Sequence, residues 1–332
     1  MPQTTEAPDA SPDASTEVAL AVRNLMPGLR RHAGVAMALM GAALGAGLLV
    51  GFWSMSSGTD GDERWKFGIF ALFIAALSVG WAYKSMIRKQ EALVMPVLAA
   101  AVGLSYAKDA NGFLRALPNR LLPKGIKSAE DLVQGSLGAH RIEMAEVKVE
   151  TGGKNSRTLF AGLVARFPNR VAMPAFFIAR EDKTRPGMFF GGELSTDGLY
   201  LLRSVIGGGG ASYGVWTSWT ARDEPTALAP VIEKVTRIED LISGGTQLYA
   251  ATCDGTEMHV ALTHSRNLFR IGGLFPNEAD VFADVRAAMQ DLTVPLTLAK
   301  ALIEAEEIAD ARQIVPEDGA LIGASLRTFT TQ

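Results

Sequence analysis

Two long apolar stretches stand near the start of the chain. The first runs from Ala33 to Met55, 23 residues without a charged side chain. At about 1.5 Å per residue, a helix of that length crosses a hydrocarbon core of about 30 Å. The second runs from Phe67 to Tyr83, 17 uncharged residues, with Trp81 near its end where interfacial aromatic side chains lie. The pattern predicts two transmembrane helices within residues 33–86.

A cleaved signal peptide is the alternative for the first stretch. A signal peptide has an apolar core of about 7–15 residues close to the N-terminus. This stretch is longer and begins only at Ala33, after a largely polar segment. The sequence therefore favours a retained anchor.

Residues 1–32 precede the anchor and predict a disordered and amphipathic region. Met1–Thr16 is rich in Pro, Ala, Asp, Ser and Thr and has almost no large apolar side chain to offset the cost of ordering. Val18–Leu29 has apolar residues at helical spacing, which predicts a short helix along the membrane surface, limited by Pro27.

Charges flank the two stretches unevenly. The connector carries Asp60, Asp62 and Glu63 against one basic residue, Arg64. Basic residues flank the other ends of both stretches: Arg23, Arg30, Arg31, Lys84, Arg88 and Lys89. Because basic residues are retained in the cytoplasm, we expect a two-pass protein of the cytoplasmic (inner) membrane with both termini cytoplasmic.

The first stretch contains two pairs of glycines spaced by four positions. Gly41 and Gly45 form one pair, and Gly47 and Gly51 form the other. Such small residues let helix backbones approach closely in lipid. Two interpretations remain open: packing against the second helix of the same chain, or homo-oligomerisation through the first span.

Within residues 87–315, apolar residues recur at the spacing of strands or of helices, which predicts a cytoplasmic α+β domain. Residues 316–332 are predicted to form a C-terminal tail. Strands are predicted at Ile142–Val149, Leu159–Phe167, Ala175–Ala179, Leu199–Ile206, Gln247–Thr252, Glu257–Thr263 and Leu268–Ile271. Helices are predicted at Ser128–Gln134, Val235–Ile242, Glu278–Leu292 and Pro295–Ala311. The order favours an α+β fold: a transmembrane helical hairpin, then a soluble domain with a mainly antiparallel sheet and terminal helices.

Two of these predictions rest on local detail. Ser128, followed by Glu130 and Asp131, has the form of a helix N-cap. Within Ile142–Val149 the apolar positions change face, which predicts a bulge near Ala145.

Composition excludes few classes of function. The net charge of −3 provides no basic field for nucleic acid, so no nucleic-acid partner is expected. The four histidines, His32, His140, His259 and His264, lack partners at metal-ligand spacing. Cys253 is the single cysteine and has no base beside it in the sequence. We expect no cofactor, no metal and no catalytic constellation, although an enzyme with dispersed site residues stays open.

One glycine-rich and aromatic segment is a candidate interaction loop. It comprises Gly207, Gly208, Gly209, Gly210, Tyr213, Trp216 and Trp219. Glycines and tryptophans together could grip a partner or touch headgroups. The alternatives are an ordinary loop and the packing of at least one tryptophan in the core.

The chain resembles a bacterial family of two-span membrane proteins catalogued as a domain of unknown function, over roughly residues 30–310. The resemblance rests on the adjacent spans, the Ile142–Val149 strand followed by Leu159–Leu163, the Ala175–Phe177 strand and Val294-Pro295-Leu296. It implies a cytoplasmic-membrane protein, often encoded near LemA-type proteins, and supplies no catalytic residues.

These observations lead to a membrane-anchored interaction or scaffold protein. Its expected partners are membrane lipids and other membrane proteins, LemA-type proteins among them. The alternative is a membrane-tethered module that binds a lipid or small ligand between the sheet and its helices.

Overall fold

The computed structural model describes residues 12–56, 61–138, 140–169, 175–184, 194–218, 228–242, 246–264 and 268–314. The N-terminal residues 1–11, the C-terminal tail 316–332 and Trp219 lie outside these ranges. The helices are α1 Pro12–Ser56, α2 Gly61–Ala101, α3 Asn111–Ala116, α4 Glu181–Thr184, α5 Leu228–Thr236, α6 Ile238–Leu241 and α7 Glu278–Ile314. The strands are β1 Leu104–Asp109, β2 Ile126–Leu137, β3 His140–Glu150, β4 Thr158–Pro168, β5 Phe176–Arg180, β6 Tyr200–Ile206, β7 Ser212–Thr217, β8 Gln247–Cys253 and β9 Glu257–Thr263.

The predicted α+β class is confirmed. Two long apolar helices precede an antiparallel nine-stranded sheet, and a long helix ends the described chain. The strand order is β1-β2-β3-β4-β9-β8-β5-β7-β6, so β1 and β6 are the edge strands. The chain divides into two compact units: residues 1–106 with 268–292, and residues 107–267 with 293–332.

Unit 1 contains an antiparallel hairpin of α1 and α2. Gly47 meets Ala75, and the Leu29 carbonyl accepts a hydrogen bond from Gln90, so the two helices run in opposite directions. At 45 and 41 residues they extend about 60–70 Å, roughly twice a hydrocarbon core.

Neither proline inside these helices ends its helix. Pro27 lies within α1, although it was expected to limit a short surface helix, and Pro96 lies within α2. Val22 and Leu29, on either side of Pro27, are fully buried. Their packing offsets the hydrogen bond that a proline removes, which a local pattern does not reveal.

Unit 2 contains the central part of the sheet, with apolar residues on both of its faces. On one face Val147, Val164, Phe177 and Tyr249 share a core with α3 and the residues after it. On the other face Phe167 and Met258 meet Leu302 of α7. This central part of the sheet is therefore buried on both sides, unlike a sheet with one solvated face.

The predicted helix at Ser128–Gln134 is wrong, because this segment belongs to β2. Glu130 pairs with Glu146, and Val133 with Met144, so two residues of β2 oppose Ala145 of β3. The bulge expected near Ala145 thus lies at its level but on the neighbouring strand. Asp131, at φ 61°, occupies the bulge. The acidic pattern that resembles a helix cap belongs to this strand irregularity.

Other boundaries differ in simpler ways. Leu268–Ile271 is not a strand, and the predicted helix Val235–Ile242 is divided between α5 and α6. The two predicted C-terminal helices form one helix, α7, which continues through Pro295. The remaining six predicted strands correspond to β3, β4, β5, β6, β8 and β9, apart from small shifts at their ends, and β8 pairs with β9.

Candidate functional site

The hairpin carries an unusual amount of exposed apolar surface. Leu49 is 72% exposed and Phe52 is 74% exposed, and both lie inside the first apolar stretch. Other large exposed side chains on the two helices are Leu39, Leu44, Leu48, Trp53, Phe67, Ile69, Phe70, Phe73, Leu77 and Trp81. Both helices are long and apolar enough to cross a membrane. In water this surface would be strongly unfavourable, whereas in lipid it needs no further partner.

Two of the four predicted packing glycines join the helices of the hairpin. A Cβ on Gly47 would lie 2.8 Å from the Cβ of Ala75, closer than real contacts allow. Gly51 is buried, and a Cβ on Gly68 of α2 would lie 3.7 Å from the Gly51 Cα and 2.7 Å from the Ser54 hydroxyl, although a Cβ on Gly51 itself would meet no described atom within 4 Å. Gly47 and Gly51 therefore mark a close approach of α1 to α2.

The other two glycines face away from this contact. A Cβ on Gly41 or on Gly45 would meet no atom within 4 Å of it in the described structure. Within the described hairpin, Gly47 and Gly51 thus lie at the contact between α1 and α2, whereas Gly41 and Gly45 have open space beside them.

Two of the four glycines of the predicted interaction loop, Gly207 and Gly208, are packed in the turn before β7, whereas Gly209 and Gly210 are exposed. Gly208–Gly210 is a short 3-10 helix. A Cβ on Gly207 would lie 2.6 Å from the Tyr213 ring and closer still to the Thr236 carbonyl oxygen. Only a glycine fits between them, so the turn is part of the packing of unit 2.

The aromatic residues that follow are also packed. Tyr213 is fully buried in β7, and its hydroxyl donates hydrogen bonds to Glu239 and to the Leu248 carbonyl. Burial, with help from Glu239, raises the pKa of Tyr213 well above its ordinary value. Trp216 is 8% exposed, and its ring centroid lies 5.7 Å from that of Phe177. Core packing therefore describes Trp216, while Trp219 lies outside the described residues.

A row of directly opposed residues crosses the sheet from β3 to β6. In spatial order its members are Glu143, Arg166, His259, Thr252, Phe177, Trp216 and Leu201. Directly opposed residues point to the same face of a sheet. The row is polar over its first four strands and apolar beyond them.

Arg166 organises the polar end of this row. Its Nε donates to Glu257 Oε2 at 3.0 Å, its Nη2 contacts the other oxygen of the same carboxylate, and its Nη1 reaches Glu143 Oε2 at 3.4 Å. The hydrogen bond with Glu257 raises the pKa of Arg166. This bidentate pair fixes β4 against β9 and compensates the charge.

His259 lies beside this pair and is 2% exposed. Its Nε2 is 3.8 Å from Glu257 Oε2, and neither ring nitrogen has a hydrogen-bond partner among the described residues. Burial lowers the pKa of His259, so the ring is neutral at pH 7. Since no described hydroxyl or thiol is hydrogen-bonded to it, the geometry there does not form a nucleophile–base pair.

A small pocket lies between α7 and the sheet within unit 2. Its walls are His140, Phe167, Asn169, Met258, Leu302 and Glu306. His140 Nδ1 is 3.4 Å from Glu306 Oε2, and both side chains are largely buried. The space amounts to about 10 Å³, the room of a single water molecule. It is too small for an acyl chain or a cofactor.

Cys253 adjoins this region but has the properties of a structural thiol. It is buried, and its sulfur accepts hydrogen bonds from the Asn169 side chain at 3.2 Å and the Gly255 amide at 3.4 Å. Burial raises the pKa of Cys253, which disfavours the reactive thiolate. Over the described ranges, no group of three or more His, Cys, Asp or Glu side chains is placed to hold a metal ion.

Sequence reasoning missed the row and the buried His140–Glu306 pair. Their members lie far apart in the chain, and strand order alone brings them together. The one local signal was Arg166, the charged residue within the otherwise apolar strand β4.

Comparisons with known proteins add little to this picture. No family model matches the chain, and no curated protein matches it. Among solved structures, the chain is similar to the crystal structure of the mycobacterial trehalose monomycolate transport factor A, TtfA, with a TM-score of 0.32 and 12% identity. The match covers 63% of this chain and 95% of that chain. Similarity at this level does not carry activity, ligand or partner from one protein to the other.

Proposed function

We propose that this chain is a two-pass membrane protein whose hairpin anchors an α+β domain at the cytoplasmic face, where the domain serves as an interaction or scaffold module. The exposed apolar surface of α1 and α2 carries the proposal. Close packing at Gly47 supports it, because the two helices form one anchor within a single chain.

The orientation of the anchor follows from charge. Arg30 and Arg31 precede the first apolar stretch, and Lys84, Arg88 and Lys89 follow the second. This distribution of basic residues supports the proposal that both termini lie in the cytoplasm. A reporter that is active only outside the cytoplasm, fused after Gln332, should stay silent, and an active reporter would refute this orientation.

Two described features of the domain bear on the alternatives of ligand binding and catalysis. The pocket beside His140 holds no more than a water molecule, and His259 and Cys253 have no described catalytic partner. The expected partners are other membrane proteins, LemA-type proteins among them.

The test is purification of the tagged full chain in a mild detergent, followed by identification of bound proteins and lipids. A two-span protein of unrelated domain, expressed at the same level, is the control. We expect defined membrane proteins enriched over that control. Isolation of the chain as a lone species would contradict the scaffold role, and a retained lipid in constant ratio would favour the ligand-binding alternative.

A further inference from the structure

We propose that the loop from Arg270 to Pro276 is a second membrane contact, in which Phe275 enters the interface of a phospholipid bilayer and Arg270 lies at the level of the headgroup phosphates. This inference rests on the proposed anchoring of the hairpin. The loop begins 169 residues after Ala101, the last residue of α2, so its position in unit 1 is a product of the fold.

The loop is held firmly by unit 1. Phe269 and Ile271 are buried, and the Gly272 amide donates to Asp284 at 2.9 Å. Gln90 of α2, itself fully buried, donates from Nε2 to the Gly273 carbonyl at 3.2 Å. These contacts make the loop an ordered feature rather than a tether.

Gln90 also explains why residue 272 is a glycine. Gly272 has φ +89°, a conformation that other residues seldom adopt. A Cβ there would lie 2.9 Å from the Gln90 amide carbon. Gln90 donates in addition to the Leu29 carbonyl of α1 at 3.3 Å, so one side chain joins both helices to the loop.

The position of the loop along the hairpin matches the membrane boundary. Leu274 packs on a cluster that includes Ala33 and Met86. Ala33 is the first residue of the apolar stretch in α1, and Met86 follows the last residue of the stretch in α2, Tyr83, by less than one turn. Leu274 therefore lies where hydrocarbon gives way to headgroups.

Arg270 is attached at the same level. Its Nη2 donates to the Tyr83 hydroxyl at 2.8 Å, and the rest of the residue is exposed. Exposed cations also lie near that boundary: Arg30, Arg31, Lys84, Arg88 and Lys89. A belt of cations beside an interfacial tyrosine is suited to the phosphates of a phospholipid surface.

Phe275 is 76% exposed, although its neighbour Leu274 is packed. A single exposed apolar residue means little by itself, so its position carries the inference. At this boundary a phenylalanine ring would be buried in the outer part of the bilayer, as in interfacial segments whose apolar side chains penetrate about 5–10 Å.

The test places an environment-sensitive fluorophore on the full chain in vesicles of phosphatidylcholine and phosphatidylglycerol. Phe275→Cys carries the probe, and the buried Cys253 of the parent chain controls for background labelling. Leu20→Cys is the matched control, since Leu20 is 56% exposed on α1 about 20 Å before Ala33.

Lipids with a nitroxide near the headgroup should quench the probe at position 275 at least about twofold more than the probe at position 20, since an interfacial side chain lies within the quenching zone. Equal quenching at the two positions would overturn the proposal. Leu48→Cys, in the middle of the apolar stretch, distinguishes failure of the loop contact from failure of the proposed membrane anchor. If a deep nitroxide quenches position 48 while position 275 stays unquenched, the anchor stands and the loop contact fails. If position 48 is not quenched, the anchor itself fails.

A charge variant tests the role of Arg270. Arg270→Gln should lower the quenching at position 275, because the loop loses its bond to Tyr83 and its headgroup contact. Arg286→Gln, which removes an exposed arginine from the same unit, should leave it unchanged. Undiminished quenching in Arg270→Gln would contradict the part assigned to Arg270.

Discussion

At the scale of single residues, His259 gives the domain a defined pH dependence. Because burial lowers its pKa below the ordinary value, the unfolded chain binds a proton at a pH where the folded chain does not. The stability contributed by the neutral ring is complete above about pH 6.5 and declines as the pH falls below that value.

We therefore expect the unfolding temperature of the full chain to fall between about pH 7.5 and about pH 5.5, above the range where carboxylates titrate. His259→Gln should flatten this dependence, since glutamine does not titrate. Parallel pH curves for the parent and the variant, measured by thermal unfolding in detergent, would disprove the role of His259.

Gly207 is a second residue whose substitution should change the stability of the domain. Gly207→Ala places a methyl group against the Tyr213 ring and the Thr236 carbonyl, which should destabilise unit 2 by about 1–3 kcal/mol. Gly112→Ala is the control, since a Cβ there meets no atom within 4 Å and α3 gains a better helix former. Equal stability of the two variants in denaturant unfolding would refute the packed turn.

At the scale of elements, the bulge in β2 depends on a buried charge. Lys108 Nζ donates to both oxygens of Asp131 at 2.9 and 3.1 Å, and Asp131 is 2% exposed. Asp131→Asn should cost about 3 kcal/mol, because it removes one partner of a buried pair. Glu130→Gln, on the more exposed neighbour, should cost less than about 1 kcal/mol. Equal losses in chemical denaturation would argue against this account of the bulge.

Substitutions in the two glycine pairs of α1 should affect thermal stability differently. In Gly47→Ile the new side chain would collide with Ala75, so this variant should lower the thermal stability of the full chain purified in detergent. Gly41→Ile has open space and should leave that stability unchanged. If copies associate through the first span, Gly41→Ile should reduce crosslinking between copies in membranes. A stable Gly47→Ile variant would contradict the close helix contact.

Periodicity predicted the elements whose signal is local. The hairpin helices and strands such as β5 and β9 show in the sequence, because their apolar runs are continuous or alternate. The prediction for Ser128–Gln134 was wrong because serine followed by acidic residues occurs in helix caps and also in this strand bulge. The bulge is stabilised by Lys108, which lies on another strand. Helix boundaries were wrongly predicted at Pro27 and Pro295, because packing outweighs the one hydrogen bond that each proline removes from its helix.

The candidate site was less predictable than the fold. The anchor was visible from Ala33–Met55 alone, but the row through Arg166 and His259 requires knowledge of strand order. The loop at Phe275 requires still more, because only the packing of Leu274 and Gln90 places it at the membrane boundary.

At the scale of the whole molecule, the proposed function requires that the hairpin lie in lipid. The most direct measurement is alkaline carbonate extraction of membranes that contain the full chain. Peripheral proteins are released by this treatment, whereas a chain held by two spans stays in the membrane pellet. We predict that the chain remains with the pellet and leaves only with detergent. Recovery of the chain in the carbonate supernatant would contradict the anchor.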